Sequence, residues 1–325
     1  MTTSERAFWI REPGVGEIRT ERLREPGDGE VRVRTRFSAI SRGTESLVFS
    51  GRVPESERAR MRAPFQEGEL PGPVKYGYLN VGIVEAGSEA LQGRPVFSLT
   101  PHQTAGIVPA DAVVPVPEGV PLQRAVLTGI VETAVNVLWD VPALVGDRVA
   151  VVGAGLVGCC IARLAARQAG TTVTLVDTDP ARRAMAEALG IRFAAPDDAP
   201  PEQDVVYHAS GHGEGLALSL GLLRTDGTVA DLSWYGDALV TLPLGRFHSR
   251  RPTIRSSQVG QLAPARRGVL TAHDRLALAA RLLIDPAFDA LLSAPRPFTE
   301  LPVLLAAASA GTREALCQVL DYEGV

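Results

Sequence analysis

The stretch Gly153-Ala-Gly155-Leu-Val-Gly158 decides the fold because of what surrounds it. It follows the apolar run Val149-Ala-Val-Val152 and opens a helix-like stretch from Cys159 to Ala169. A second run, residues 172–176, then ends in Asp177. A strand, a glycine turn, a helix and a second strand closed by a carboxylate are the parts of a dinucleotide-binding βαβ unit. The stretch therefore predicts a site for a nicotinamide or flavin dinucleotide.

The glycines and the aspartate have separate physical roles. Gly153 permits the sharp turn off the strand, Gly155 leaves room for the pyrophosphate, and Gly158 lets the helix pack closely against the strand. The helix N-terminus adds free N–H groups and positive potential. Asp177 can accept hydrogen bonds from an adenosine ribose and would repel a 2′-phosphate, so NAD is favoured over NADP. The expected coenzyme-binding set on this unit is Gly153, Gly155, Leu156, Val157, Gly158, Asp177 and Thr178.

The composition argues against several classes of protein. The chain has 325 residues, of which 45% are hydrophobic and 22% charged, and its formal net charge is −4. Without a basic surplus to neutralise phosphates, nucleic acid is not an expected partner. No apolar stretch reaches the roughly 20 residues of a membrane span, and the first residues lack the order of a signal peptide, so no membrane partner and a cytoplasmic location are expected. Three cysteines cannot make a disulfide framework or a four-thiolate metal site.

The pattern along the chain predicts two architectures. Residues 29–118 carry short apolar or alternating runs between Gly and Pro, which predict an irregular β-barrel with strands at Glu30 to Phe37, Val81 to Ala86, Pro95 to Leu99 and Ala112 to Val116. After a helix from Ala125 to Trp139, strands and helices alternate, which predicts a parallel sheet covered by helices. Its expected strands are Arg148 to Val152, Thr172 to Asp177, Asp204 to Ala209, Gly227 to Leu232 and Pro252 to Ser257. The last segment is expected to hold a helix from Glu300 to Ala310, N-capped by Thr299, and a strand from Ala315 to Asp321.

Two serines follow expected strands of the parallel sheet. Dinucleotides bind beyond the carboxyl ends of such strands, which places Ser210 and Ser233 at the expected cleft. Serines in these loops also cap helices or form turns. Coenzyme contact and a capping role therefore both stay open for them.

Four further motifs carry a resemblance to a known family. They are Ile40-Ser-Arg-Gly-Thr-Glu45, Gly77-Tyr-Leu-Asn-Val-Gly82, Gly93-Arg-Pro-Val-Phe97 and Glu132-Thr-Ala134. With a barrel ahead of the βαβ unit, the chain resembles the medium-chain dehydrogenase/reductase superfamily over nearly its whole length. The first two motifs look most like a zinc-free branch, that of bacteriochlorophyllide hydroxyethyl dehydrogenase and threonine-dehydrogenase-like proteins. The resemblance implies an α/β fold with a GroES-like β-barrel catalytic domain over residues 1–121, a Rossmann NAD-binding domain with a doubly wound parallel sheet over 122–290, and a C-terminal segment, 291–325, that returns to the catalytic domain.

The zinc ligands of that superfamily have no counterpart in this chain. At the three corresponding places the chain carries Ser41 or Arg42, then Tyr78-Leu79, then Gly129-Ile130. None of these supplies the thiolate or imidazole that binds zinc. The four-cysteine lobe is missing as well, because the chain passes from Phe97 through His102 directly into the next expected strand. The resemblance with these departures predicts a protein without zinc.

Without a metal ion, protein groups must handle the reacting oxygen. Donors must stabilise the charge on a carbonyl oxygen during hydride transfer, and a positioned base must take an alcohol proton. The resemblance places Thr44 in a hydroxyl relay and Thr133 beside the nicotinamide, and Tyr78, in the place of a missing ligand, is the expected oxyanion donor. The wider catalytic set adds Glu45, Lys75 and His102.

Several of these residues have a simpler interpretation. Tyr78 could only fill the space that zinc leaves. Lys75 could lower the pKa of Tyr76, but a single lysine on a Pro-flanked loop is more often a solvated surface residue. A structural hydrogen bond is favoured over general-acid catalysis for His102. Arg42 could clamp the pyrophosphate or make a surface salt bridge.

The sequence thus predicts a zinc-independent, NAD(H)-dependent oxidoreductase. Its expected reaction interconverts a secondary alcohol and a ketone on a small polyol, cyclitol-like or secondary-metabolite substrate. A quinone or enone reductase of the same superfamily and a non-catalytic dinucleotide-binding sensor remain alternatives. The resemblance also implies a homodimer, with residues 252–259 as the contact strand.

Overall fold

A computed structural model of the chain describes residues 3–236, 238–312 and 316–325. By its internal contacts the chain divides into two compact units. The first unit comprises Met1–Gly129, Ala280–Ile284 and Leu292–Val325, and the second comprises Ile130–Ala279 and Asp285–Leu291. The domain boundaries expected at residues 121 and 290 stay predictions. Among the described residues, no helix has the length and apolar character needed to cross a membrane.

Along the chain, the first nine strands and the last two belong to the first unit, and the six strands between them belong to the second. They are β1 (Thr3–Glu12), β2 (Val15–Leu23), β3 (Glu30–Ile40), β4 (Glu67–Gly68), β5 (Val74–Lys75), β6 (Asn80–Ala86), β7 (Pro95–Ser98), β8 (Ala105–Pro109), β9 (Val114–Pro115), β10 (Arg148–Val152), β11 (Thr172–Val176), β12 (Arg192–Ala194), β13 (Gln203–His208), β14 (Leu223–Asp231), β15 (Thr253–Ser256), β16 (Arg296–Pro297) and β17 (Gln318–Asp321).

The helices lie mostly in the second unit. They are α1 (Arg42–Phe49), α2 (Leu122–Ala125), α3 (Thr128–Asp140), α4 (Leu156–Ala165), α5 (Arg182–Ala188), α6 (Gly213–Leu222), α7 (Phe247–Arg250), α8 (Ala272–Leu282) and α9 (Leu301–Ser309). Short 3₁₀ turns occur at Glu55–Glu57, Ala110–Ala112, Pro196–Asp198, Leu244–Arg246, Pro264–Arg266, Pro286–Leu291 and Phe298–Glu300.

The second unit is built on a parallel sheet with the strand order β12-β11-β10-β13-β14-β15. Every neighbouring pair in this order is parallel. Apolar residues on consecutive positions, as in Val149 to Val152, are buried because helices cover the faces of such a sheet. The strand order reverses direction between β10 and β13, which is the switch point where this kind of sheet binds its ligands. The expected α/β class with a Rossmann-type sheet is confirmed.

The first unit contains two antiparallel-rich sheets. One has the order β2-β1-β5-β4, and the other has the order β16-β17-β3-β6-β7-β9, with β8 pairing with β3 beside this path. The segment after residue 292 belongs to this unit, where β17 runs antiparallel to β3 from Gln318 against Ile40 to Asp321 against Phe37. This pairing brings the end of the chain beside the strand that leads into α1.

The structure corrects several local predictions. The hairpin of β1 and β2 lies outside the range expected to be β-rich, because charged residues alternate along it and hide the pattern of a buried strand. Thr299 does not cap α9: it lies inside a 3₁₀ turn, and the helix begins after Glu300. The single helix expected from Ala125 to Trp139 is divided in two: α2 ends at Ala125 and α3 begins at Thr128. The strand expected from Ala315 begins at Gln318, and Ala315 itself lies outside the described residues.

Candidate functional site

The glycine turn of the second unit is tight at both ends and open in the middle. Gly153 has a φ of +108°, in the region that favours glycine. A Cβ on Gly158 would lie 2.0 Å from the Gly153 carbonyl oxygen, so α4 can pack here only with a glycine. A Cβ on Gly155, by contrast, would meet no described atom within 4 Å. The turn therefore leaves space beside the N-terminus of α4, where N–H groups and positive potential favour a phosphate.

Asp177 follows β11 and ties this turn together. Its Oδ2 accepts a hydrogen bond from the Ala154 N–H at 2.7 Å, and its Oδ1 accepts one from the Asp179 N–H at 2.9 Å. Each oxygen keeps a lone pair for a ligand hydroxyl. The neighbouring Thr178 is exposed. A carboxylate held in this way suits a ribose diol and repels a phosphate.

The two expected serines meet at one buried histidine. His208, at the end of β13, has its Nε2 2.7 Å from Ser210 Oγ and its Nδ1 3.2 Å from Ser233 Oγ. Ser233 Oγ also accepts a hydrogen bond from the Gly211 N–H at 3.0 Å. The structure thus joins Ser210 and Ser233, at the ends of neighbouring strands, through a residue that the sequence analysis did not select.

Thr133 lies on α3, next to a buried ion pair. Glu132 Oε1 accepts a hydrogen bond from Arg275 Nε at 3.0 Å, and the same guanidinium donates to Asn136 Oδ1 at 2.5 Å. Burial raises the pKa of Glu132, and the positive charge of Arg275 acts in the opposite direction. The pair links α3, one residue from Thr133, to α8.

In the first unit, Tyr78 contacts residues of the segment at the start of α1. Its hydroxyl donates a hydrogen bond to Ser41 Oγ at 2.6 Å. Burial and the negative charge of Glu45 raise the pKa of Tyr78 to about 12, while hydrogen bonds with Ser41 and Thr44 act in the opposite direction. The phenol therefore keeps its proton at neutral pH, which makes it a hydrogen-bond donor and a poor base. The structure brings Tyr78 and Thr44 together at this place.

Glu45 and His102 form a buried pair behind these hydroxyls. Glu45 Oε1 accepts a hydrogen bond from the Ser41 N–H at 2.7 Å, and Glu45 Oε2 lies 2.9 Å from His102 Nε2. On its other side, His102 Nδ1 lies 2.8 Å from Ser38 Oγ, which lies 2.8 Å from the hydroxyl of Tyr322. Because Nε2 faces a carboxylate, the tautomer that fits this contact has its proton on Nε2, and in that tautomer the donors run from Tyr322 through Ser38 and His102 to Glu45.

Lys75 does not join this cluster, and the expectation that it is solvated is wrong. Its side chain is 5% exposed, and its Nζ lies 2.9 Å from Glu21 Oε2 and also forms an ion pair with Glu67. The ammonium group stands 5.8 Å from the centre of the Trp9 ring. Two carboxylates and an aromatic ring offset the cost of burying the charged amine. Lys75 therefore belongs to the sheet of β1, β2, β4 and β5.

Arg42 is the first residue of α1 and is half-buried in the first unit. The coenzyme contact expected for it stays a prediction. Sequence reasoning missed the network partners Ser38, Tyr322, His208, Asp231 and Tyr235. One signal was available: His208 and Asp231 are the last residues of neighbouring parallel strands, each after a short apolar run, and so lie at the ligand edge of the sheet.

The residues near Tyr78 do not fit a zinc ion. A protein zinc site needs at least three closely spaced thiolate, imidazole or carboxylate ligands. The one imidazole here, His102, is hydrogen-bonded through both ring nitrogens. Within the described residues, no group of three or more His, Cys, Asp or Glu side chains could hold a metal ion.

Known proteins resemble the chain in one sequence segment and in the whole fold. A family model described as "3-hydroxyacyl-CoA dehydrogenase, NAD binding domain" matches residues 148–192, the segment of the glycine turn and Asp177. A short chain alcohol dehydrogenase from E. coli CFT073, solved with NADH, is 18% identical over 98% of this chain and 100% of its own, with a TM-score of 0.78.

Two further solved structures have the same architecture. L-idonate 5-dehydrogenase from Escherichia coli K-12 is 16% identical over 99% of both chains, with a TM-score of 0.79. The 2R,3R-butanediol dehydrogenase from Bacillus subtilis is 15% identical over 98% of this chain and 100% of its own, with a TM-score of 0.77. The fold combines a GroES-like β-domain with a Rossmann domain. At these identities the likeness concerns the fold, and residue roles are argued from this chain's own contacts.

Proposed function

We propose that the chain is an NAD(H)-dependent oxidoreductase that interconverts a secondary alcohol and a ketone without zinc. The observation that carries the proposal is the glycine turn, open at Gly155 and tied to Asp177 at 2.7 Å. Bound NAD(H) would accept or supply the hydride. The match to an NAD-binding family model and the NADH bound to a structural neighbour support this choice of coenzyme.

The proposed substrate is a small polyol, a cyclitol-like compound or a secondary metabolite of similar size. Two structural neighbours, named for L-idonate and for 2R,3R-butanediol, act on small hydroxylated compounds. Secondary alcohols of this kind lose a hydride from carbon and a proton from oxygen. The chain therefore needs a group that exchanges a proton with that oxygen.

Tyr78 and Thr44 are proposed as the groups that contact the reacting oxygen. The protonated phenol can donate a hydrogen bond to an oxygen that becomes negative, and Thr44 can pass a proton onward. Ser41 holds the phenol at 2.6 Å, and Glu45 holds the backbone of Ser41 at 2.7 Å. Glu45 and His102 thus position the donor instead of touching the substrate.

Asp177 provides the sharpest test of the coenzyme. In Asp177→Ala, loss of a hydroxyl acceptor should weaken NADH binding about tenfold and make NADPH binding stronger relative to NADH, because the repulsion of a 2′-phosphate disappears. Fluorescence titration with both coenzymes measures the ratio. Asp198→Ala, which removes an exposed carboxylate of the same unit, is the matched control and should leave the ratio unchanged. An unaltered ratio in Asp177→Ala contradicts the proposal.

Elemental analysis of the purified protein tests the zinc-free part. No stoichiometric zinc is expected, because the cluster around Tyr78 offers a single imidazole already bonded on both sides. One zinc per chain that dialysis does not remove would overturn this part and leave the coenzyme proposal standing.

The proposed partners are a small-molecule substrate and a second copy of the chain. Strand β15 is the last strand of the parallel sheet, and all four of its residues are exposed. An uncovered strand edge can pair with the same edge of another copy. This location supports the homodimer implied by the family resemblance.

A further inference from the structure

A second histidine and carboxylate pair lies at the ligand edge of the parallel sheet. The register of β13 and β14 places His208 beside Asp231. The His208 side chain is fully buried, with its Nδ1 2.9 Å from Asp231 Oδ1 and its Nε2 2.7 Å from Ser210 Oγ. The three residues therefore form one hydrogen-bonded chain from the interior to a half-buried serine.

The partners of Asp231 decide where His208 carries its proton. Asp231 also accepts hydrogen bonds from the Ser233 N–H at 3.0 Å and from the Tyr235 hydroxyl at 3.2 Å. The phenol keeps its proton because burial and the charge of Asp231 raise the pKa of Tyr235. A carboxylate that accepts these hydrogen bonds also favours an N–H on the facing ring nitrogen, so the tautomer that fits the geometry has its proton on Nδ1 and a lone pair on Nε2.

The polarity of the Ser210 hydroxyl follows from that tautomer. Its proton points at His208 Nε2, and its oxygen accepts a hydrogen bond from the His212 N–H at 3.2 Å. One lone pair remains, and among the described residues no further donor reaches it. Ser210 also stands against the glycine turn, since a Cβ on Gly153 would lie 2.7 Å from the Ser210 nitrogen. The serine thus presents an acceptor beside the predicted coenzyme.

We propose that His208 and Asp231 are positioning residues that make Ser210 Oγ an obligate acceptor for a ribose hydroxyl of the coenzyme. This inference rests on the proposed function. A ligand hydroxyl satisfies the open lone pair, whereas a phosphate or carboxylate oxygen would face it without a proton between them. Ser210, His208 and Asp231 are therefore specificity determinants, in addition to Asp177.

The order serine, histidine and aspartate does not make Ser210 a nucleophile here. Its oxygen already accepts the His212 N–H, and a Cβ on Gly215 would lie 2.2 Å from Oγ, so backbone of α6 covers one side of the hydroxyl. An attacking oxygen needs open space on the side of its reacting lone pair. The remaining lone pair of Ser210 can accept one hydrogen bond but is poorly placed to attack a bulky acyl group.

A set of coenzyme analogues tests the proposal in the full-length protein. Binding of NAD and of four deoxy analogues, each lacking one ribose hydroxyl, is measured by calorimetry for the wild type and for Ser210→Ala. Ser210→Ala should weaken NAD binding about two- to tenfold, the range of one neutral hydrogen bond. For one analogue the two proteins should bind equally, and for the other three the penalty should persist.

His208→Gln and Ser219→Ala complete the set. His208→Gln removes the imidazole acceptor and frees the Ser210 hydroxyl to turn, so it should weaken NAD binding by a similar factor and spare the same analogue. Ser219→Ala removes a buried hydroxyl of α6 that donates to the Gly215 carbonyl, and NAD binding should match the wild type. Circular dichroism verifies that each variant is folded.

Nitrogen NMR of ¹⁵N-histidine protein reads the tautomer directly, with His208→Gln assigning the signal. The proton is expected on Nδ1 of His208, and a proton on Nε2 overturns the inference. An equal penalty for NAD and all four analogues, or none for any, overturns it as well, while NAD binding by the wild type leaves the coenzyme part of the proposed function standing. If the folded wild type binds no NAD, both the proposed function and this inference fail.

Discussion

Each of the two units contains a buried histidine that is hydrogen-bonded to a carboxylate. The two histidines present opposite ring nitrogens to that carboxylate. In the first unit, His102 presents Nε2 to Glu45 and Nδ1 to Ser38. In the second unit, His208 presents Nδ1 to Asp231 and Nε2 to a serine at the sheet edge. Each imidazole joins a carboxylate to a serine hydroxyl.

The difference lies in where each chain of hydrogen bonds ends. The chain through His102 runs from Tyr322, which is 6% exposed, to Glu45, which is 1% exposed, so both of its ends are buried. The chain through His208 ends on half-buried Ser210. The same residue types therefore serve as an internal brace in one unit and as a prepared contact for a ligand in the other. Burial of the terminal hydroxyl, and not the histidine itself, separates the two roles.

The largest effect should come from breaking the sealed pair. Glu45→Ala leaves His102 and the Ser41 N–H buried without an acceptor, and loss of one partner of such a pair costs about 3 kcal/mol or more of the free energy of unfolding. Urea denaturation measures it. Asp231→Ala should lose less, since its side chain is 14% exposed and water can replace it. Equal losses for the two variants would remove the distinction between brace and contact.

Alkaline pH should act on the tyrosines of the chain, of which Tyr235 and Tyr322 belong to the two histidine networks. All five tyrosines, Tyr76, Tyr78, Tyr207, Tyr235 and Tyr322, have pKa values raised by burial, and that of Tyr78 is about 12. Since the unfolded phenols ionise near pH 10, the stability that they contribute is complete below pH 10 and is lost as the pH rises towards 12, by up to about 3 kcal/mol for Tyr78 alone. Ultraviolet titration of the native protein should show no tyrosinate at pH 10. A normal step there would show that the networks are open to water.

A smaller effect is expected at Tyr78, which Ser41 and Glu45 hold at the start of α1. Tyr78→Phe should lower turnover about tenfold or more with a substrate that the wild type oxidises, and coenzyme affinity should stay constant. Steady-state kinetics with NADH binding as the second readout separates these quantities. Tyr76→Phe removes the neighbouring phenol, which bonds only to the Met61 carbonyl among the described residues, and serves as the control. Unchanged turnover in Tyr78→Phe would reduce Tyr78 to packing.

Much of the second unit could be predicted from local sequence. Parallel strands buried on both faces are continuous apolar runs, so β10, β11 and β13 stand out, and the glycine spacing locates the turn between them. The first unit is harder, because its strands alternate and its first hairpin carries charge on many positions. Lys75 shows the consequence: its partner Glu21 lies on β2, which no pattern predicted, so its burial could not be foreseen.

The sequence predicts the members of the cluster around Tyr78 more readily than their connections. Thr44, Glu45, Tyr78 and His102 are each predicted on separate grounds, and the structure brings them together. The second network was missed because the contact of His208 with Asp231 depends on strand register, a property of two segments 23 residues apart. Hydrogen bonds that cross strands are set by tertiary pairing and leave no local periodicity.

Because Lys75 is buried, the native protein has no exposed lysine side chain. Lysine occurs once among 325 residues, and that side chain is enclosed by Trp9 and two carboxylates. Acylating or crosslinking reagents that seek lysine should find no exposed side-chain target on the native surface, which displays arginine in its place. Any labelling at that position would then report opening of the sheet around β5, and mass spectrometry could measure how often this occurs without an introduced probe.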